Sequence, residues 1–267
     1  MINDLRIQKI LWIVISALSL IAAMSGVLKP DLYGKVISSD FLPGIIAQDL
    51  TTIISVLLLL YLGLRTTAAD FKKQIFAVSL IAYSFYGYGI YAIERVYTPL
   101  YLVYLAVTAL SFWCIVFFAI QIKREVIRQI TTSKLIRYLS SGCLIFTAVL
   151  FYSLWTTSLL PLMRAGEKIE YLYSIYILDI VFILPAVILC ARLLIKKNPY
   201  GLIFSPILFL KAFTLLFSVG LGGLVKPYYG VTANSGETAF YLLLSAIYLF
   251  FAVLNILKIE FQEHGDR

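Results

Sequence analysis

Charge is scarce in this sequence. Only 13% of its 267 residues are Asp, Glu, Lys or Arg, and 61% are hydrophobic, whereas a soluble domain carries about 25% charged residues. With a mean hydropathy of +0.94, a water-exposed surface is excluded and the lipid bilayer is the natural solvent. Histidine is nearly absent: the single one, His264, lies in the polar tail, which excludes a histidine-based zinc or haem site within the membrane. Cysteine is sparse too. Cys114, Cys143 and Cys190 sit inside apolar runs and form no CxxC, so they read as small packing residues rather than a disulfide framework. HExxH, GxSxG in a strand–turn–helix setting and GxxxxGK[ST] are all missing. The longest polar segments are loops of about a dozen residues, which leaves no room for a soluble or nucleotide-binding domain. The sequence therefore calls for no cofactor.

What is present is a series of apolar runs long enough to cross a bilayer, which takes about 20 residues. Eight are found, at 9–28, 45–64, 74–93, 99–121, 136–159, 175–195, 200–221 and 238–257. The spacing predicts an all-α, polytopic transmembrane bundle forming one domain over 1–267. Lys and Arg alternate loop by loop. Fifteen lie in the N-terminus, the even-numbered loops and the tail, against six in the odd-numbered loops, with Lys211 inside a span. The positive-inside rule then places both termini in the cytoplasm, and the expected location is the inner membrane of a prokaryote. The same distribution assigns the net charge of +8 to membrane orientation, not to nucleic acid, and the expected partner is the bilayer. The first run starts basic and contains Ala22-Ala23-Met24-Ser25-Gly26, as a signal peptide would. Its apolar core is longer than the usual 7–15 residues, so it is kept as span 1.

The halves 1–130 and 131–267 resemble one another. Span 2 carries Gln48-Asp49-Leu50 and span 6 carries Leu178-Asp179-Ile180, each followed by a short basic loop. Spans 3 and 7 turn glycine-rich near their outer ends, at Gly87 and Gly89 and at Gly220, Gly222 and Gly223. Span 4 opens Thr98-Pro99-Leu100-Tyr101-Leu102 and span 8 opens Thr238-Ala239-Phe240-Tyr241-Leu242. This pattern predicts a parallel repeat of four spans plus four, with its axis along the membrane normal.

Ionisable residues inside a membrane are costly and mark partners or sites. Four qualify: Asp49, Glu94, Asp179 and Lys211. At 1.5 Å per residue, Asp49, Asp179 and Lys211 lie about 24, 25 and 21 Å from the cytoplasmic edge. All three share a layer in the outer half of the membrane. An Asp49–Lys211–Asp179 cluster is geometrically allowed, and would suit a proton or a cationic group. Glu94 lies near the outer rim, with neighbouring Arg95 as its simplest partner. Span 3 adds Tyr83, Tyr86, Tyr88 and Tyr91. These read either as an interfacial belt or as a pocket for a small organic cation or amphiphile, with Tyr86 and Tyr88 as candidates. Pro185 and Pro206 free backbone carbonyls beside Asp179 and Lys211. The segment from Gly220 to Gly236 has the composition of a mobile lid.

The Tyr-rich third span, Leu178-Asp179 through Leu184-Pro185 and Ser205-Pro206 through Lys211 resemble a set of uncharacterised prokaryotic eight-span membrane proteins. The resemblance covers most of the chain and implies no activity. Four functions remain open: a secondary transporter or permease using the charged layer, a membrane enzyme acting on a lipid or isoprenoid, a retinal-like chromophore protein with Lys211 as the Schiff-base amine, and a structural or accessory subunit.

Overall fold

The structure is a computed structural model that describes residues 2–169 and 172–261; His264 and Arg267 lie outside the described residues. Among the described residues, eight apolar helices long enough to cross a membrane form a compact bundle: Leu5–Leu28, Ser39–Arg65, Phe71–Ile93, Tyr101–Gln121, Lys134–Ala165, Tyr173–Ile195, Pro199–Tyr229 and Ser235–Lys258, spans 1 to 8 in order. The chain is an all-α integral membrane protein, as its hydropathy predicts.

Helix ends follow local chemistry. The Asp4, Ser133 and Asn234 side chains accept backbone N–H bonds at the starts of spans 1, 5 and 8, relieving donors that have no partner within the helix. Pro199 follows the capping Asn198 and opens span 7, the helical position where proline costs least. Gly166 ends span 5 at φ 67, a left-handed conformation natural to glycine.

Both described ends of the chain lie on one face, here the terminal face. Ile2 bridges Ile122 there, and Ile130–Thr131 pairs with Glu260–Phe261. Lys72 Nζ donates to the Leu257 carbonyl at 2.9 Å and Lys9 Nζ to the Thr66 carbonyl at 3.0 Å. Asp70 accepts from the Thr67 amide and hydroxyl and pairs with Lys73, which hold its carboxyl down at about 2. The opposite, distal face carries the odd-numbered loops.

Within each half the first span packs on the second, the third on the fourth, and the first on the fourth, the last contact being looser in the second half. Spans 3 and 7 are the central pillars, most deeply buried and packed on each other. In the Gly220 to Gly236 segment span 7 stays α-helical to Val225 and continues as a 3-10 turn over Lys226–Tyr229. Gly220 and Gly223 are contact points: a Cβ on Gly223 would stand 2.1 Å from Thr238 Oγ1, and one on Gly220 would stand 2.6 Å from Leu242. The glycines let spans 7 and 8 touch.

Candidate functional site: a one-sided cavity between the halves

A cavity of about 610 Å³ opens among the distal loops and reaches down into the bundle, within the size range of small-molecule pockets. Span 2 contributes Ile45 and Gln48, and span 3 contributes Tyr86, Ile90 and Tyr91. The second half supplies Trp155, Asp179, Lys211 and Tyr248 among others. Asp40, Glu94, Lys226 and Glu237 line its outer part. At its wall Thr147 and Tyr248 join spans 5 and 8 at 2.7 Å, and away from it Asn255 links Ser205 to Ser140 at 3.1 and 2.8 Å, tying spans 5, 7 and 8 together. The outer stretch of span 5 from Ser153 to Ala165 has no buried residue. Its wall of the cavity is therefore a single helix facing lipid.

The polar centre is Lys211. It is buried at 3% exposure, and its Nζ stands 3.6 Å over the centre of the Tyr86 ring. Asp179 acts on it electrostatically. The carboxylate takes a bond of 2.9 Å from Trp155 Nε1, and the Tyr86 hydroxyl lies beside it. Yet the only ion pair within 4.0 Å among the described residues is Lys73–Asp70. Lys211 thus offers its N–H groups to the cavity, backed by an aromatic face and a nearby carboxylate.

Local sequence sets this geometry. From Leu178 to Ile183 span 6 is a π-helix, with Leu184 N–H donating to the Asp179 carbonyl. Pro185 follows at once and has no N–H to continue the α pattern. The wider turn inserts a residue and re-aims Asp179; such bulges recur at functional sites. Pro206, one and a half turns before Lys211, leaves the Leu202 carbonyl without its helical donor.

Asp49 is elsewhere. The structure brings Asp179 and Lys211 together but does not complete the three-charge cluster. Asp49 is 1% exposed and sits in a niche of phenols, where Tyr33 donates to Oδ2 at 2.7 Å and Tyr91 to Oδ1 at 3.2 Å. Hydrogen bonds to a charged acceptor are worth about 1.5–3 kcal/mol each, so two of them offset much of the several kcal/mol that burying a carboxylate costs. Tyr33 comes from the loop between spans 1 and 2. Burial, with Asp49 beside it, pushes its phenol far above the ordinary tyrosine range, so it stays a donor. Span 1 makes room with Gly26, where a Cβ would fall 2.0 Å from Asp49 Oδ2.

Two further expectations are corrected. Tyr83, Tyr86, Tyr88 and Tyr91 are all 0–2% exposed, so they are internal and not an interfacial belt. Of them Tyr86 and Tyr91 line the cavity, whereas Tyr88 donates to the Ser19 carbonyl at 2.8 Å and stacks on Tyr104. Glu94 does not pair with Arg95. It accepts the Ser174 amide at 2.8 Å, while the Tyr173 hydroxyl donates to the Ile93 carbonyl. Together they staple span 3 to the start of span 6.

Trp155, Tyr33, Tyr104, Gln48 and Gly26 were not legible as site residues. Trp155 carried a weak signal, being a lone tryptophan within an apolar run. Tyr33 carried none, because only the folded loop brings it to Asp49. No protein-family model, characterised protein or solved structure matches the chain.

Proposed function

We propose that this protein is a secondary transporter or permease of the inner membrane, with the terminal face cytoplasmic, and that its cavity binds an amphiphile. The single observation that carries it is the one-sided cavity. It lies between the two halves and is lined by residues of the distal loops, while Ser140, Asn255 and Ser205, which do not line it, are buried and hydrogen-bonded to one another. A site reached from one face and closed toward the other suits alternating access by rocking of one half against the other. The unequal Lys and Arg distribution supports the orientation.

The lining defines the substrate class. Most of it is aliphatic or aromatic; Lys211, Asp179 and Tyr86 gather at its polar centre, and Asp40, Glu94, Lys226 and Glu237 line its outer part. A head carrying both an acceptor for the ammonium and a donor for the carboxylate, on an apolar tail, matches that lining. A zwitterionic amine–carboxylate amphiphile has this form.

Trp155 reports on the site. With Trp12→Phe and Trp113→Phe it becomes the sole tryptophan. A brominated-chain N-alkylglycine is expected to quench it saturably in nanodiscs, with the affinity of Lys211→Met and of Asp179→Asn down roughly tenfold, about 1.4 kcal/mol. Quenching that rises linearly and ignores both substitutions would sink the reading.

A further inference from the structure

The cavity uses one of the two buried aspartates and leaves the other unexplained. Asp49 is as buried as any carboxylate in the bundle, at 1% exposure. The titratable groups that face it are all tyrosines: Tyr33 from the loop, Tyr83, Tyr88 and Tyr91 from span 3, and Tyr104 from span 4. Span 1 packs Gly26 against it. No lysine or arginine among the described residues comes within 4.0 Å of it. A metal ion does not fit either. No cluster of acidic, histidine or cysteine side chains suited to one occurs among the described residues, and even a single methyl group on Gly26 would overlap Oδ2. A proton is a counter-charge that this niche of phenols can hold.

One residue belongs to both places. Tyr91 donates to Asp49 Oδ1 at 3.2 Å, its hydroxyl lies 3.5 Å from the Ile45 carbonyl, and Tyr91 and Ile45 both line the cavity. Gln48, adjacent to Asp49 in sequence, lines it too and donates to the Gly87 carbonyl at 3.0 Å.

We infer that Asp49 is the proton-carrying carboxylate of the protein and that Tyr91 transmits its state to the cavity wall. Asp49 takes one proton from the aqueous phase at the distal face, forming an O–H bond on Oδ1. That oxygen then donates to Tyr91 instead of accepting from it, and the Tyr91 O–H turns to the Ile45 carbonyl. Tyr33 keeps its bond to Oδ2 throughout. Release of the same proton toward the terminal face completes the cycle, so solute movement is driven by the proton gradient. The coupling rests on the transport reading; the proton site does not.

The test separates the two. Infrared difference spectra of the full-length protein in nanodiscs, alkaline minus acid, read the C=O stretch of a protonated carboxyl directly. The expected result is a titrating band that survives Asp179→Asn, shifts in Tyr91→Phe and is lost in Asp49→Asn. The Asp49→Asn substitution keeps the size of the native group and, with one acceptor oxygen and one donor N–H2, imitates its protonated form, and Asp49→Glu is expected to restore a band at a shifted position. A band that persists unchanged in Asp49→Asn, or the lack of any band in the native protein, overturns the proposal. In a second arm, proteoliposomes take up the brominated N-alkylglycine under an imposed pH gradient. Asp49→Asn is expected to exchange the probe but to lose at least tenfold of its gradient-driven accumulation. If the native protein moves no probe while the infrared band behaves as stated, transport fails and the proton site stands. If Asp49→Asn accumulates the probe like the native protein, the coupling is refuted.

Discussion

Lys211 Nζ stands 3.6 Å above the centre of the Tyr86 ring, and no ion pair within 4.0 Å neutralises it. Its closest carboxylate influence, Asp179, is held by Trp155. A buried charge left with donors directed into a cavity is a binding element whose local cost is met by an aromatic face and a carboxylate at longer range.

Lys211 and Asp179 are expected to be energetically coupled. Lys211→Met and Asp179→Asn should each destabilise the protein, because each leaves one buried charge unbalanced. The double variant should recover part of the loss, with a coupling of about 0.5–3 kcal/mol in a double-mutant cycle. Unfolding of the four proteins in one detergent measures it, and strict additivity would place the two side chains in independent environments.

Gly26→Ala puts a methyl group 2.0 Å from Asp49 Oδ2 and 2.4 Å from Tyr33 Oη. The expected cost is about 1–3 kcal/mol, the range for overpacking a filled interior. Adding Tyr33→Phe removes the second clashing atom and should return part of that loss. Thermal unfolding of the single and double variants reads the difference.

Deleting Val181 takes one residue out of the π-helical stretch Leu178–Ile183. Span 6 loses one of its 23 residues but stays long and apolar enough to cross a membrane, and the wide turn that sets the aim of Asp179 is removed. Insertion and folding are expected to persist while quenching of Trp155 by the N-alkylglycine disappears. Unaltered binding would show that the bulge does not aim Asp179.

Asp70 supplies a pH dependence outside the membrane. Bonds from the Thr67 amide and hydroxyl and the pair with Lys73 lower its carboxyl from 3.8 to about 2. Because the folded value lies below the ordinary one, the stabilisation is complete above 3.8 and fades as the pH falls through about 2. Hydrogen exchange at Thr67 should rise across that window, and Asp70→Asn should abolish the transition.

Much of the bundle was legible because lipid imposes length and polarity on every span. The run at 74–93 is observed as Phe71–Ile93 and that at 238–257 as Ser235–Lys258. Depth arithmetic placed Asp179 and Lys211 at one level, and they do act on each other. Azimuth was the missing quantity. Rise per residue fixes how far a side chain lies from the membrane edge, but not which way it points, and Asp49 points away from Lys211 into the tyrosine niche. The π turn of span 6 changes azimuth further, and hydropathy carries no trace of it. For the tyrosines of span 3, composition alone favoured a belt over a pocket; packing against spans 2, 4 and 7 decides for the interior.

Transport requires that the terminal half of the bundle open in turn. On a cysteine-free background (Cys114→Ser, Cys143→Ser, Cys190→Ala), single cysteines are placed at Leu215 in the cavity wall and at Ser205, which does not line it. A membrane-impermeant maleimide is then added from one side at a time. Leu215→Cys should react from the distal face. Ser205→Cys should react from the terminal face in a measurable fraction of molecules, and at a rate altered by the N-alkylglycine. A Ser205→Cys that stays unreactive from the terminal face under every condition, while Leu215→Cys reacts from the distal one, would make this a fixed pocket and contradict transport.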